Sequence, residues 1–320
     1  MQIPHSIAMH HAKRPKQPPP IECGHAFAWH HIRGRVPSDW EITAYSVEDR
    51  VGRIEFNTRH GLEAVVSWEP CKREPDRLTT MATFLSNHIL GKKNAGTLRA
   101  TDLKTTEMGL FLVGWMDETL PCQAMGYDPA SEHLIRWVFE GRTARTGRDT
   151  VIRPILTACD FNADPEACEY NLHGIRARLP WEYKIEDIVV LPANVMMSFE
   201  SEASMRKAVF RRWGLAAMIR GEQTLVDFYT PILRSHNILV DASEPCRIGG
   251  CEAFRLTFNA PREHHSDRFM RRRWQDGTAW IWHDRQANRL NTFEQIGPRQ
   301  SAALAFETVF PGLSVEASVG

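Results

Sequence analysis

The chain is 320 residues long, enough for two domains of ordinary size that each bury a self-sufficient core. Lysine plus arginine equals aspartate plus glutamate at 39 each. That balance removes any global field for holding a polyanion or an acidic membrane surface, so a nucleic-acid role requires a local patch. A hydrophobic content of 42% with 24% charged residues is that of a globular chain.

No window approaches the roughly 20 apolar residues of a membrane helix, and the N-terminus lacks the basic and apolar run of a secretory signal, so a cytoplasmic location is expected. The seven cysteines are odd in number and scattered, with no CxxC pair, which reads as buried or inert thiols rather than a disulfide framework.

Residues 1–34 are rich in proline, histidine and basic residues, as in Lys13-Arg14-Pro15-Lys16 and Pro18-Pro19-Pro20, and read as a flexible tail. Cys23, His25, His30 and His31 in this stretch are of zinc-ligating types, but their spacing fits no closed four-ligand site. From Val36 onward one pattern occurs twice. Val36-Pro37-Ser38-Asp39-Trp40 opens the first copy and Leu179-Pro180-Trp181-Glu182-Tyr183 the second.

Hairpin signatures follow, with alternating runs from Gly52 to Phe56 and Leu62 to Trp68 answered by Val195 to Phe199 and Lys207 to Trp213. In that alignment Phe56 corresponds to Phe199 and Trp68 to Trp213. Each hairpin precedes a helical pattern, Leu78, Met81, Leu85 and Ile89 in one copy and Leu225, Phe228, Ile232 and Leu233 in the other, with Pro231 expected to kink the second helix or delay its start.

Three further strands come next. Gly109 to Val113 aligns with Gly250 to Leu256, and the closing hairpin from Tyr127 to Trp137 aligns with His283 to Phe293. Ile152, Ile155 and Leu156, then Leu304, Phe306 and Phe310, predict a short final helix in each copy. The expected division is a tail over 1–34, a first unit over 35–161, a linker over 162–176 and a second unit over 177–320. The expected fold class is α+β: two tandem related units, each a mostly antiparallel sheet with flanking helices.

A unit that opens on proline and tryptophan, continues through a hairpin, a helix and a meander, and closes on an aromatic-ended helix resembles the PsbP/DcrB superfamily of α-β-α sandwiches. The resemblance implies a protein-binding scaffold rather than an enzyme and assigns no functional residue. Doubling of such a unit implies a covalent pseudo-dimer with a groove between its copies.

HExxH, GxSxG, P-loop and GxGxxG patterns are absent, which removes the strongest sequence grounds for catalysis. The most distinctive local feature is an Arg-rich insertion over 262–274 in the second copy. Its Arg268, Arg271, Arg272, Arg273 and Trp274 suit phosphate, a base or an acidic protein surface, since arginine offers a planar fork and the rings offer faces, but the expected reading is a solvated loop whose charges balance acidic neighbours.

Trp280 and Trp282 fall on one face of a strand by alternation, and an open face there would be an aromatic contact site. Core packing is nonetheless the expected role of both, as it is of Trp40, Trp68, Trp115, Trp137, Trp213 and Trp274. Cys246, Cys251, His264, His265 and His283 form the densest Cys/His collection, and two thiolates with two imidazoles satisfy tetrahedral zinc. A packing role is the competing reading, and no cofactor is otherwise expected.

The sequence therefore favours a non-catalytic protein-binding adaptor or chaperone-like scaffold with an unidentified protein partner and no membrane span. The alternatives are a nucleic-acid or anion-binding module built on 262–274 and a metal-dependent enzyme built on the Cys/His set.

Overall fold

The computed structural model describes residues 24–30, 32–48, 51–86, 99, 101, 103–115, 121–140, 143–144, 148–161, 166–261, 274–299 and 302–317. The chain begins with a hairpin, β1 (His25–His30) and β2 (Ile32–Val36), followed by β3 (Glu41–Glu48), β4 (Val51–Thr58) and β5 (Gly61–Pro70). Helix α1 (Arg77–Phe84) leads to β6 (Lys104–Met108), β7 (Phe111–Trp115), β8 (Cys122–Asp128) and β9 (His133–Phe139). A π-helical turn (Arg148–Ile152) runs into α2 (Arg153–Thr157) and then β10 (Asp160–Phe161).

The second half repeats this order. A hairpin, β11 (Ala167–Leu172) and β12 (Ile175–Pro180), precedes β13 (Tyr183–Leu191), β14 (Asn194–Ser201) and β15 (Arg206–Gly214). Two helices follow, α3 (Ala216–Arg220) and α4 (Leu225–Ser235), then β16 (Leu239–Ile248), β17 (Cys251–Pro261), β18 (Trp274–Asp284) and β19 (Arg289–Gly297). The chain closes on α5 (Phe306–Val309) and β20 (Val315–Ala317).

These strands build three antiparallel sheets. One has the order β3-β4-β5-β9-β8-β7-β6, a second the order β13-β14-β15-β19-β18-β17-β16-β20, and a third, five-stranded sheet the order β10-β2-β1-β11-β12. The first two repeat one topology and share a register irregularity between their first two strands. Ile42 pairs with Phe56 and Ile185 with Phe199, and the β-bulge that follows falls between Ile42 and Ala44 in one sheet and between Ile185 and Asp187 in the other.

The closing hairpins also correspond. Asp128 pairs with His133 and Asp284 with Arg289, and the turn residues Glu132 and Asn288 both take positive φ, 53° and 51°. The aspartates accept backbone N–H bonds within their turns, Asp128 from Ala130 and Ser131 and Asp284 from Ala287, the usual use of Asp at a turn entrance. The halves part company at their ends, where β10 joins the five-stranded sheet through β2 and β20 joins the eight-stranded sheet through β16.

The architecture overturns the expected α-β-α sandwich and, with it, the PsbP/DcrB resemblance, because the protein is predominantly β with few helices. The physical reason lies in what covers each large sheet. Helix α4 packs Leu225, Tyr229 and Leu233 against one face of the eight-stranded sheet, beside Leu256, Phe258 and Ile281. The opposite faces of both large sheets are covered by the five-stranded sheet.

Phe27 on β1 meets Phe56 and Trp137 of the first half, and Tyr170 on β11 meets Phe199 of the second. One aromatic core therefore runs continuously through all three sheets. A sheet that buries its rings against another sheet needs no second helical layer.

Several local expectations change as well. Residues 25–30 and 32–34, within the stretch read as a tail, belong to β1 and β2, with Phe27, Trp29 and Ile32 buried. Residues 167–172, within the stretch read as a linker, form β11. Trp68 and Trp213 do not correspond: Phe56 opposes Ala64 and Phe199 opposes Ala208, which places Arg212 rather than Trp213 at the position of Trp68. The two tryptophans accordingly sit on opposite faces of their sheets, in different core clusters. Helix α4 carries Pro231 in its interior and continues to Ser235.

Candidate functional site

The five-stranded sheet has one buried face and one open face. Alternation along its strands sends Phe27, Trp29, Ile32, Tyr170, Leu172 and Leu179 inward, all nearly or wholly buried. The same alternation sends Ala26 and Ala28, Arg33 and Arg35, Glu169 and Asn171, and Arg176 and Arg178 outward, where they line a cavity of about 710 Å³. Ala158, at the end of α2, and the segment Phe310-Pro311-Gly312-Leu313, after α5, form its walls. Corresponding ends of the two halves thus frame the face that their hairpins share.

Register fixes the layout of that face. Arg33 lies opposite Ala28, Ala28 opposite Asn171, and Asn171 opposite Arg176, with Asp160 beside Arg33 at the outer edge. Two small alanines form the floor and arginines stand on both sides. Arg33 donates to Asp160 at 2.9 Å and lies 3.7 Å from Glu169. The hydrogen bond it donates to Asp160 chiefly holds the Arg33 guanidinium above its ordinary pKa. Arg35 donates to the Gly24 carbonyl at 3.2 Å.

Arg176 has no ion-pair partner among the described residues and projects from β12 into solvent. With four arginines against Asp160 and Glu169, the face is positive within a chain of zero formal net charge.

A smaller cleft of about 180 Å³ adjoins it, sharing Arg176, Phe310 and Leu313 and reaching Arg289, Asn291 and Trp282 of the eight-stranded sheet. Its mouth is the β11–β12 turn, where His173 and Gly174 both take positive φ, 48° and 78°. A methyl group placed on Gly174 would lie 2.6 Å from Arg212 Nη1 and 2.8 Å from Arg289 Nη1. Two guanidinium groups therefore converge on one point beside this glycine.

The residues singled out from sequence fare differently. Arg268, Arg271, Arg272, Arg273, His264 and His265 lie outside the described residues, as do the side chain of Trp274 and the tail's Cys23, His31 and the side chains of His25 and His30. Trp280 and Trp282 do share a face, but it is covered. Trp280 stacks on Phe293 at 5.5 Å and Trp282 packs edge-on against Phe306 and Phe310, which makes both core residues rather than an open contact site.

Cys246 and Cys251 lie toward the core shared by the sheets, and burial pushes both thiols above their ordinary pKa. His283 alternates with Trp282 and so points to the other face of β18, where burial, then Arg220, pushes its pKa down. These three side chains do not converge, and among the described residues no group of three or more His, Cys, Asp or Glu side chains is placed to hold a metal ion. Among the described residues, no helix is long and apolar enough to cross a membrane.

Sequence reasoning missed the arginine face. The available signal was Arg33-Gly34-Arg35 recurring as Arg176-Ala177-Arg178, a doubled Arg-x-Arg at matching points of the two hairpins.

No protein-family model matches the chain. No curated protein matches it. A solved structure, described as the structure of intact Ap-TbpB (N and C lobes), is similar to it at 6% identity over 82% of this chain and 68% of that one, with a TM-score of 0.13. A likeness of that size carries no argument about fold or function.

Proposed function

We propose that this protein is a non-catalytic binding protein that takes an acidic segment of a partner protein onto the open face of its five-stranded sheet. The observation that carries the reading is the paired Arg-x-Arg arrangement, with Arg33 and Arg35 on one side of an alanine floor and Arg176 and Arg178 on the other. Guanidinium forks on both flanks suit carboxylates arriving from either side, and the small floor lets an extended backbone approach. Asp160 and Glu169 already hold Arg33, so an incoming acid competes with them there, whereas Arg176 has no ion-pair partner among the described residues.

A nucleic acid is the less favoured ligand for this face. Phe27, Trp29 and Tyr170 point into the core, so among the described residues these strands offer no stacking ring beside the arginines, and the chain has no net positive charge.

The test is fluorescence anisotropy with a labelled ten-residue glutamate-rich peptide, a basic peptide of equal length and a single-stranded oligonucleotide of matched charge. Saturable binding of the acidic peptide alone is expected, with at least tenfold loss in the Arg176→Gln/Arg178→Gln variant, as two charge-assisted contacts would give. Absence of binding, tighter binding of the oligonucleotide, or indifference to the double substitution would overturn the reading.

A further inference from the structure

We infer that the cleft beside Gly174 is a separate site for a compact phosphate-type oxyanion, gripped by Arg212 and Arg289 with Arg176 at its rim. It goes beyond the acidic-segment reading and does not depend on it.

Three observations converge. Arg212 and Arg289 present Nη1 atoms to one point beside Gly174, and a side chain there would occupy the space. Both arise on the face of the eight-stranded sheet that looks toward the five-stranded sheet: Arg212 opposes Asn291 and Arg289 opposes Gly214, so they are diagonal neighbours on adjacent strands. Like charges so placed repel, and a fold that keeps them together gains if an anion sits between them.

Among the described residues, Arg176, Arg212 and Arg289 have no ion-pair partner, and Arg212 Nε is buried without a hydrogen-bond acceptor. Asp284, opposite Arg289 across β18 and β19, is the one acid lining the cleft; it accepts the Ala287 N–H in its own turn and forms no ion pair with Arg289, so one carboxylate faces three guanidinium groups. Burial, and after it the Arg289 charge, pushes Arg212 below its ordinary pKa, as expected for a cation lacking its counter-charge. An oxyanion there would accept from both forks and restore the missing acceptor.

Size and polarity define the ligand class. A cleft of about 180 Å³ admits a phosphate or sulfate group with little else, and Asn291 adds an amide donor. The source of the group, free in solution or carried on a larger molecule, is separated by the choice of probe.

The experiment is isothermal titration of the full chain with inorganic phosphate, and in parallel with phosphoserine as the smallest carried group. Saturable phosphate binding is expected, weakened at least tenfold in both Arg212→Gln and Arg289→Gln and unaffected in Arg35→Gln on the neighbouring face. Phosphoserine binding more tightly than phosphate assigns the site to a carried group, and the reverse to the free ion.

A second readout guards against misfolding. In phosphate-free buffer Arg289→Gln relieves repulsion and is expected to melt at or above the wild-type temperature, while added phosphate raises the wild-type midpoint alone. No saturable binding of either probe, binding untouched by both substitutions, or a phosphate-free melting loss in Arg289→Gln would overturn the inference.

Discussion

The most informative stability experiment concerns the polar group beneath α4. Glu294, 2% exposed on β19, accepts from Arg211 Nε at 3.1 Å and from the hydroxyl of the wholly buried Tyr229. Replacing Glu294 by alanine leaves Arg211, whose side chain is only 15% exposed, without its acid and the Tyr229 hydroxyl with Thr292 at 3.4 Å. Breaking a buried pair in this way costs about 3–5 kcal/mol, whereas Tyr229→Phe removes one hydrogen bond to a charged acceptor and costs about 1.5–3 kcal/mol.

The ordering is the prediction: Glu294→Ala destabilises more than Tyr229→Phe, and Glu294→Ala/Arg211→Ala is less destabilised than the sum of its singles by about 1–3 kcal/mol. Urea denaturation at pH 7, at low and high salt, measures the wild type, both singles, the double variant and Tyr229→Phe, and salt should leave the coupling largely intact because the pair is sheltered from solvent. Additive singles, or a Glu294→Ala cost below about 1 kcal/mol, would refute the view that this triad is a mutually dependent unit.

Three further outcomes follow from burial. Burial, then Glu294, raises the Tyr229 phenol well above its ordinary pKa. Its contribution is therefore complete below the unfolded-state value of about 10 and is lost as pH climbs from there toward the folded-state value, so the urea midpoint should fall above about pH 10 less steeply in Tyr229→Phe. Burial pushes the Cys159 and Cys168 thiols up to about 12, so native alkylation at pH 8 read by mass spectrometry should spare both while half-buried Cys71 reacts. Gly277 sits under the buried Phe258 ring, where a methyl group would fall 1.9 Å from Cε2; Gly277→Ala should cost about 1–3 kcal/mol by denaturation, and a trimmed partner in Gly277→Ala/Phe258→Leu should recover part of it.

How much of this was legible in the sequence depends on the range of the interaction. The closing hairpins were readable because their signal is local: an aromatic, an aspartate and a polar turn before an alternating strand are all set within a dozen residues. The one-residue error between Trp68 and Trp213 shows the limit of matching by residue type, since a shift of one position moves a side chain to the other face.

The fold class was missed because local pattern reports that a strand has a buried face and is silent on what covers it. Sheets followed by helical segments predict helices as their cover. The actual cover comes from hairpins hidden in stretches whose proline, histidine and charge content argued for a tail and a linker. Phe27-Ala28-Trp29 on β1 alternates as a strand should, yet it is short and follows a segment of opposite character.

The arginine face was illegible for a related reason, and it ties fold to function. Neither Arg33-Gly34-Arg35 nor Arg176-Ala177-Arg178 is notable alone, because two outward charges on a short strand are ordinary. They become a site only when β1 pairs with β11, Ala28 against Asn171 and Trp29 against Tyr170, and joins the two hairpins into one sheet. That pairing buries Phe27, Trp29 and Tyr170 on one side and sets the arginines across the alanine floor on the other, so the contact that completes the core also assembles the charged face. A substitution that weakens the β1–β11 seam from inside should therefore loosen the outer arrangement with it, and neither half alone can present the complete face, since each supplies only one Arg-x-Arg strand.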